Sequence, residues 1–418
     1  MKKILLITLF AFCSIFSFAQ NMDYTNSIIT ELCSDKYYGR GYVNYGDSIA
    51  ASFLEKEFDR IGLKKYSKSY YQEYSTDINR IVEMPVVIFG NKELVPLKDY
   101  IVIPSSPDVD AWFKIEWLTA ETLTNQWVLR HTLSSEHSNS FICIDSTNLN
   151  NDDLYKFANT IFSKNYIEAK GVIEATAHLK YTARTSLNNY ISLQIKPEKI
   201  DVTADSIYVR IKNDFVKDYK TRNIIGYLPG QTDSIVMITA HYDHLGMMGN
   251  VMFPGANDNA SGVAMVLNLA EYYKNQKKNK YTLVFVLFSG EEAGLLGSKY
   301  MAENPPFDLS LVKAMLNFDM IGTGDEGVFM FNAKEYPVYD TLIQDMNKNK
   351  EYFDVMKTTG ATWSSDHASF FDKGVKAIFV YTDGNLNNYH QPEDVAKDLN
   401  LAAYKDIYRF VLDFIGKI

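Results

Sequence analysis

The residues best equipped for chemistry in this 418-residue chain are two histidines and a set of carboxylates, each placed just after an apolar run or at the start of a helix. His241 follows Ile235 to Ala240, Glu291 and Glu292 follow Tyr281 to Phe288, and Asp319 follows Ala314 to Phe318. Tyr389 and His390 lie a short loop beyond Ala377 to Tyr381, and Asp258 sits between Gly255 and Gly262, directly ahead of a helical pattern. Imidazole nitrogen and carboxylate oxygen are the donors that zinc takes in catalytic sites. Five such ligands serve two ions only if one carboxylate bridges, and Asp258, in a tight glycine-flanked loop, is suited to that place. A pair of metals about 3.5–4 Å apart lowers the pKa of bound water toward 7. A base must still take the water's proton, a service worth roughly 10²–10⁴ in rate. Glu291, beside the ligand-type Glu292, is the candidate.

Supporting residues are placed by their spacing. Asp243, two positions after His241, is expected to receive the second ring N–H of that histidine, which would fix its tautomer. Asp394, in His390-Gln391-Pro392-Glu393-Asp394, is expected to do the same for His390. Each piece alone has an ordinary explanation. A His-x-Asp is commonly a surface turn, paired glutamates complement a helix dipole, and Asp258 with its asparagines suits a helix cap. The case rests on their convergence.

Open α/β sheets bind ligands beyond the carboxyl ends of their strands, and the elements are of that kind. The four apolar runs have strand length and alternate with helical patterns over Ser261 to Tyr273, Glu292 to Glu303 and Pro337 to Asn347, with a last helix from about Leu399 to Ile415. Near-continuous apolar strands between helices imply an α/β fold, a mostly parallel central sheet buried on both faces. Residues 20–74 read as an N-terminal helical part of the same domain. There Ile49, Phe53, Leu54, Phe58 and Ile61 keep helical spacing, with Asp47 or Ser48 as cap and Gly62 as stop. Residues 75–219 change texture to short β-rich pieces separated by turns, expected to form an inserted β-rich accessory domain. Residues 220–418 carry the catalytic part.

The motifs His241-Tyr242-Asp243-His244-Leu245-Gly246, Gly255 to Gly262, Ser289-Gly290-Glu291-Glu292 through Ser298, Asn317-Phe318-Asp319-Met320-Ile321-Gly322, Ser365-Asp366-His367 and Tyr389-His390 resemble, in order, those of the M28 family of zinc peptidases. Cys33 to Arg40 also resembles that family's N-terminal segment. The resemblance implies a zinc-exopeptidase fold and two zinc ions, one held by His241, Asp258 and Asp319 and the other by Asp258, Glu292 and His390, with Glu291 as general base to a metal-bound water. It further implies a cis peptide after Asp258, an oxyanion donor in Tyr389, and support from Asp366 and His367. His244 is expected to face solvent. The middle region matches poorly, where many relatives carry a protease-associated domain.

Peptides are therefore the expected substrates, and an aminopeptidase is favoured because no arginine near the motifs offers itself to a terminal carboxylate. Two alternatives belong to other classes: a glutaminyl cyclase-like acyltransferase with one zinc, and a metal-free binding or receptor-like relative. The intact ligand set and the run from Glu292 into Ala293-Gly294-Leu295-Leu296-Gly297-Ser298 speak against both. A net charge of -9 without a basic run argues against nucleic acid as partner. Residues 1–19, with Lys2 and Lys3 ahead of an apolar stretch and Ser17-Phe18-Ala19, are expected to be a signal peptide directing export to the periplasm or outside. No transmembrane segment is expected after it. The remaining Cys33 and Cys143 could form one bridge in an oxidising compartment.

Overall fold

The computed structural model describes residues 20–144, 153, 156–158, 165–386 and 388–418; the expected signal peptide lies outside them. Among the described residues there are two eight-stranded sheets and a two-stranded ribbon. The central sheet runs in the order Tyr71–Ile81, Asn213–Leu228, Thr282–Phe288, Ile235–His241, Val312–Phe318, Ala377–Asp383, Gly327–Phe331, Met356–Thr358. Its four middle strands, the expected apolar runs, are mutually parallel. Antiparallel pairs flank them on both sides.

Period-two side-chain alternation explains why these runs are apolar throughout. Val236, Ile238 and Ala240 face one core, with Leu283, Phe285 and Leu287 from the neighbouring strand. Ile235, Met237, Val284, Val286 and Phe288 face a second core on the other side. The larger core is roofed by the helices Met22–Leu32, Gly46–Ile61, Ser261–Lys274, Pro337–Lys350 and Tyr404–Lys417. The smaller is closed by Leu296–Glu303 and His367–Phe371. No described helix is long and apolar enough to cross a membrane.

The second sheet is built from strands between Val86 and Ile211 and has its own core around Phe141, Leu193 and Val209. Leu245, Met248 and Phe253, from the loop that follows His241, are buried in that same core. Tyr71–Ile81 and Asn213–Leu228, which straddle the expected limits of the β-rich region, pair with each other in the central sheet.

Three local expectations change. The helix expected from Glu292 starts at Leu296, because Gly294 (φ 108°) and Leu295 (φ 62°) turn the chain out of helical geometry first. Asp47 does not cap its helix, which starts after Tyr45 without a side-chain cap, although Gly62 ends it as expected. Asp47 is instead fully buried and accepts hydrogen bonds from Tyr219 (2.6 Å) and Thr221 (2.9 Å). Cys33 and Cys143 both remain thiols, packed with different hydrophobic cores. The bridge does not form.

Candidate metal centre

The strand ends deliver their side chains to one edge of the central sheet. His241 is the last residue of its strand and is buried. Its Nε2 lies 3.1 Å from Asp319 Oδ1 and 3.3 Å from Asp258 Oδ1. On the other side of Asp258, Oδ2 is 3.4 Å from His390 Nε2, which is itself 3.1 Å from Glu292 Oε2. Asp258 thus offers a different oxygen to each histidine. The Asp258–Asn259 peptide is cis, as the resemblance implies. Gly255 (φ 61°) makes the turn into this loop, where a Cβ would fall 2.2 Å from Asp258 O and 2.5 Å from the His244 ring.

Backbone carbonyls orient both histidines. Nδ1 of His241 donates to Asp243 O at 3.1 Å, and Nδ1 of His390 donates to Tyr181 O at 2.7 Å. In each ring this leaves Nε2 directed at the carboxylates, the arrangement of a metal-ligand histidine. The expected carboxylate partners do other work. The Asp243 carboxylate, 3.9 Å from His241 Nδ1, accepts the N–H groups of Glu291 (3.1 Å) and Glu292 (3.4 Å) and so fixes the glutamate pair. Asp394 does not reach His390; it accepts the N–H groups of Asn257 (2.9 Å) and Asp258 (3.0 Å). Asp319 is held by Ser365, whose hydroxyl donates to Oδ2 at 2.6 Å. Asp366 is buried nearby but makes no hydrogen bond to these side chains, and His367 bonds Thr362 O at 3.1 Å and stacks on Phe379.

His244 corrects an expectation. It is fully buried rather than solvent-facing, and its Nδ1 lies 2.6 Å from Glu292 Oε1. His244, Asp258 and Glu292 form a second group with ligand atoms within 4.8 Å, alongside His241, Asp258 and Asp319. Its Nδ1 is engaged with Glu292, whereas His390 keeps the carbonyl-backed geometry seen at His241.

Arg40 carried no signal beyond its place in the N-terminal motif, yet among the described residues it is the largest fully buried side chain. It donates to Tyr242 O (2.8 Å), Leu32 O (3.1 Å), Gly255 O (2.7 Å), Asp258 O (3.3 Å) and Pro254 O. The guanidinium thus staples the N-terminal segment to both the His241 and Asp258 loops.

Electrostatics follow from this crowding. Burial pushes the Glu291 carboxyl well above its usual range, partly offset by His241 and reinforced by Glu292 and Asp319. Burial likewise carries Asp243 up to about 8 and Asp366 up to about 7, against the attraction of His241. Burial opposes the charge on His390, but Glu292 and Asp258 overcome it and hold the ring at about 10. Burial also works against the Glu292 anion, yet His390 and His244 hold its carboxyl down to about 2. Above the carboxylates opens a pocket of about 200 Å³, lined by Asp258, Glu291 and Asp319 together with Met320, Phe331, Phe379, Tyr381 and Tyr389.

A buried N/O donor set at the carboxyl edge of a parallel sheet is an arrangement that could hold metal ions in an α/β fold. Residues 223–415 match the model of Peptidase family M28. A probable leucine aminopeptidase of Trichophyton verrucosum is 32% identical over 232 residues, covering 49% of this chain and 58% of that protein. Aminopeptidase YwaD of Bacillus subtilis is 29% identical over 212 residues, 48% of this chain and 45% of its own. The alignments thus span about half the length of these curated relatives. Among solved structures, an aminopeptidase from Aneurinibacillus sp. strain AM-1 superposes with a TM-score of 0.70 at 19% identity, covering 96% of this chain and 94% of that one. A zinc aminopeptidase from Bacillus subtilis gives 0.68 at 18%, covering 95% and 96%. At such identities the likeness establishes the fold.

Proposed function

We propose that the protein is a two-zinc aminopeptidase that removes N-terminal residues from peptides. The observation that carries the reading is the doubled histidine–Asp258–carboxylate arrangement beside Glu291. The donor set fits the metal. Asp243, Asp258, Asp319, Asp366 and the Glu292 side chain are buried together, and no described Lys or Arg side chain pairs with them, Arg40 being spent on carbonyls. Buried carboxylates require a compensating cation, which a metal bound by neutral imidazoles would supply, and imidazole with carboxylate suits zinc.

His241, Asp258 and Asp319 would hold one ion, and Asp258, Glu292 and His390 the other. Bound there, the ions would act as Lewis acids and activate water near neutral pH. Glu291 would take the proton of the attacking water and pass it to the departing amine; its raised proton affinity suits both transfers. Burial followed by the surrounding carboxylates keeps the Tyr389 phenol protonated, so its O–H is a donor for a developing oxyanion. The carboxylates of Glu291 and Asp319 beside the pocket would receive the free α-amine, and its apolar wall an apolar N-terminal side chain. Export by residues 1–19 belongs to the same proposal and predicts a mature chain beginning at Gln20.

A panel of matched peptides with free and acetylated N-termini tests it, together with metal analysis of purified protein. Release of the first residue from unblocked peptides alone, with near two zincs per chain, is the expected outcome. Cleavage at the carboxyl end, or a chain that folds and binds no zinc, would overturn it.

A further inference from the structure

A second cleft, of about 780 Å³, adjoins the metal centre, and Tyr389 lines both. One wall of this cleft is the loop carrying Asn388, Gln391 and Glu393; the other is the β-rich region, through residues including His178, Lys180 and Lys196. The two walls are bolted together. Tyr181 O accepts from His390 Nδ1 at 2.7 Å, and Leu179 O accepts from the Gln391 side chain at 2.7 Å. Tyr181 stacks on Phe253 with ring centroids 4.8 Å apart, anchoring the segment from behind. Lys180, between these two anchored residues, therefore projects into the cleft from a fixed backbone, with Nζ 4.5 Å from the Tyr389 ring centroid.

Lys199, which is not part of the lining, pairs with Asp99 at 3.2 Å. Among the described residues neither Lys180 nor Lys196 has a carboxylate partner, while Glu393 is the acidic residue of the lining. Tyr389 is the residue shared by the two linings, so a peptide with its amino end among Glu291 and Asp319 that passes Tyr389 enters this cleft. One ring's width is roughly two residues of extended chain at about 3.3 Å each, which brings the second or third residue beside Lys180, with Lys196 further along the same lining. We infer that this cleft receives the departing portion of the peptide, and that Lys180 and Lys196 bind a carboxylate on it, either the C-terminal α-carboxylate of a short peptide or an acidic side chain. The inference rests on the peptidase reading above and names its substrate class: short peptides with an apolar first residue and a negative charge two or three residues on.

The test compares kcat/KM for Leu-Gly-Gly, its C-terminal amide, and Leu-Gly-Asp amide, in the zinc-loaded wild type and in Lys180→Met and Lys196→Met. The wild type is expected to favour the free acid over the amide by about 10-fold, and that ratio should fall toward 1 as salt screens the attraction. Each lysine variant should lower the acid-to-amide ratio, a quantity that cancels any general loss of rate. Recovery with Leu-Gly-Asp amide assigns the site to acidic side chains as well; no recovery assigns it to the C-terminus. Equal rates for acid and amide in the wild type, or a ratio that neither variant alters, would overturn the inference. Failure of the peptidase reading looks different: no unblocked peptide is cut, or N-acetyl-Leu-Gly-Gly is cut as well.

Discussion

Asp394→Asn isolates the support of Asp258, the proposed bridging carboxylate, from the proposed ligands themselves. Asp394 is 1% exposed, and its carboxylate accepts from Asn257 N at 2.9 and 3.1 Å and from Asp258 N at 3.0 Å. A hydrogen bond to a charged acceptor is worth about 1.5–3 kcal/mol. Asparagine keeps the shape and one acceptor oxygen, which at the Oδ2 position still reaches both N–H groups, but it loses the charge and the 2.9 Å bond from Asn257 N, which then meets an amide NH2. The loss is then about 1.5–3 kcal/mol, and if it falls on the Asp258 loop it lowers zinc affinity by about 10- to 100-fold, the usual cost of losing such a support. Chelator-competition titration of the apo-protein measures that affinity, and kcat at saturating zinc is read in parallel. Weaker binding with kcat restored to within a few-fold by excess zinc is the expected pair of results. Wild-type zinc affinity would refute the reasoning, as would a loss of rate that zinc does not restore, since that would place Asp394 in the chemistry.

Glu291→Gln should keep both zincs and lose about 10²–10⁴ in kcat; full activity against unblocked peptides would remove Glu291 from the mechanism. His241→Ala should lose zinc as well as rate, seen by metal analysis of the purified variant. Burial lifts the Asp47 carboxyl from 3.8 to about 6, against the hydrogen bonds from Tyr219 and Thr221. The native state therefore holds a proton that the unfolded chain has released, and stability falls by about 3 kcal/mol as pH rises from 4 to 6. Asp47→Asn should flatten that slope in urea titrations at successive pH values, and an unchanged slope would exclude Asp47 as its source. Arg40→Lys can satisfy at most three of the five carbonyls that Arg40 now serves. The two left unpaired should cost about 2–4 kcal/mol, read as a lower thermal midpoint; a midpoint equal to the wild type would show that those bonds are dispensable.

The central strands were readable because burial on both faces leaves an unbroken apolar run, and the residues ending those runs, His241, Glu291 and Asp319, were readable with them. Partners set by tertiary packing were not. The spacing His241-x-Asp243 suggests a carboxylate–imidazole bond, but the backbone carbonyl lies closer to the ring and the carboxylate turns to the glutamate N–H groups. His390 and Asp394 are four apart, yet the intervening turn sends Asp394 to a loop 136 residues earlier. His244 is expected to face solvent because nothing local reports that Gly41 packs against Gly246 and the His244 carbonyl. Arg40 owes its burial to carbonyls as much as 218 residues away. Periodicity in one stretch of chain carries no trace of such distances.

The bond between His390 and Tyr181 joins positions 209 residues apart. Synthesis places His390 last among the five ligand-type side chains, and the carbonyl that aims its imidazole belongs to a region with a separate hydrophobic core. On the proposed peptidase reading, catalytic competence is a late event of maturation: a nascent or half-folded chain carries every motif but lacks the aligned imidazole, so proteolytic power would arrive only with the finished molecule.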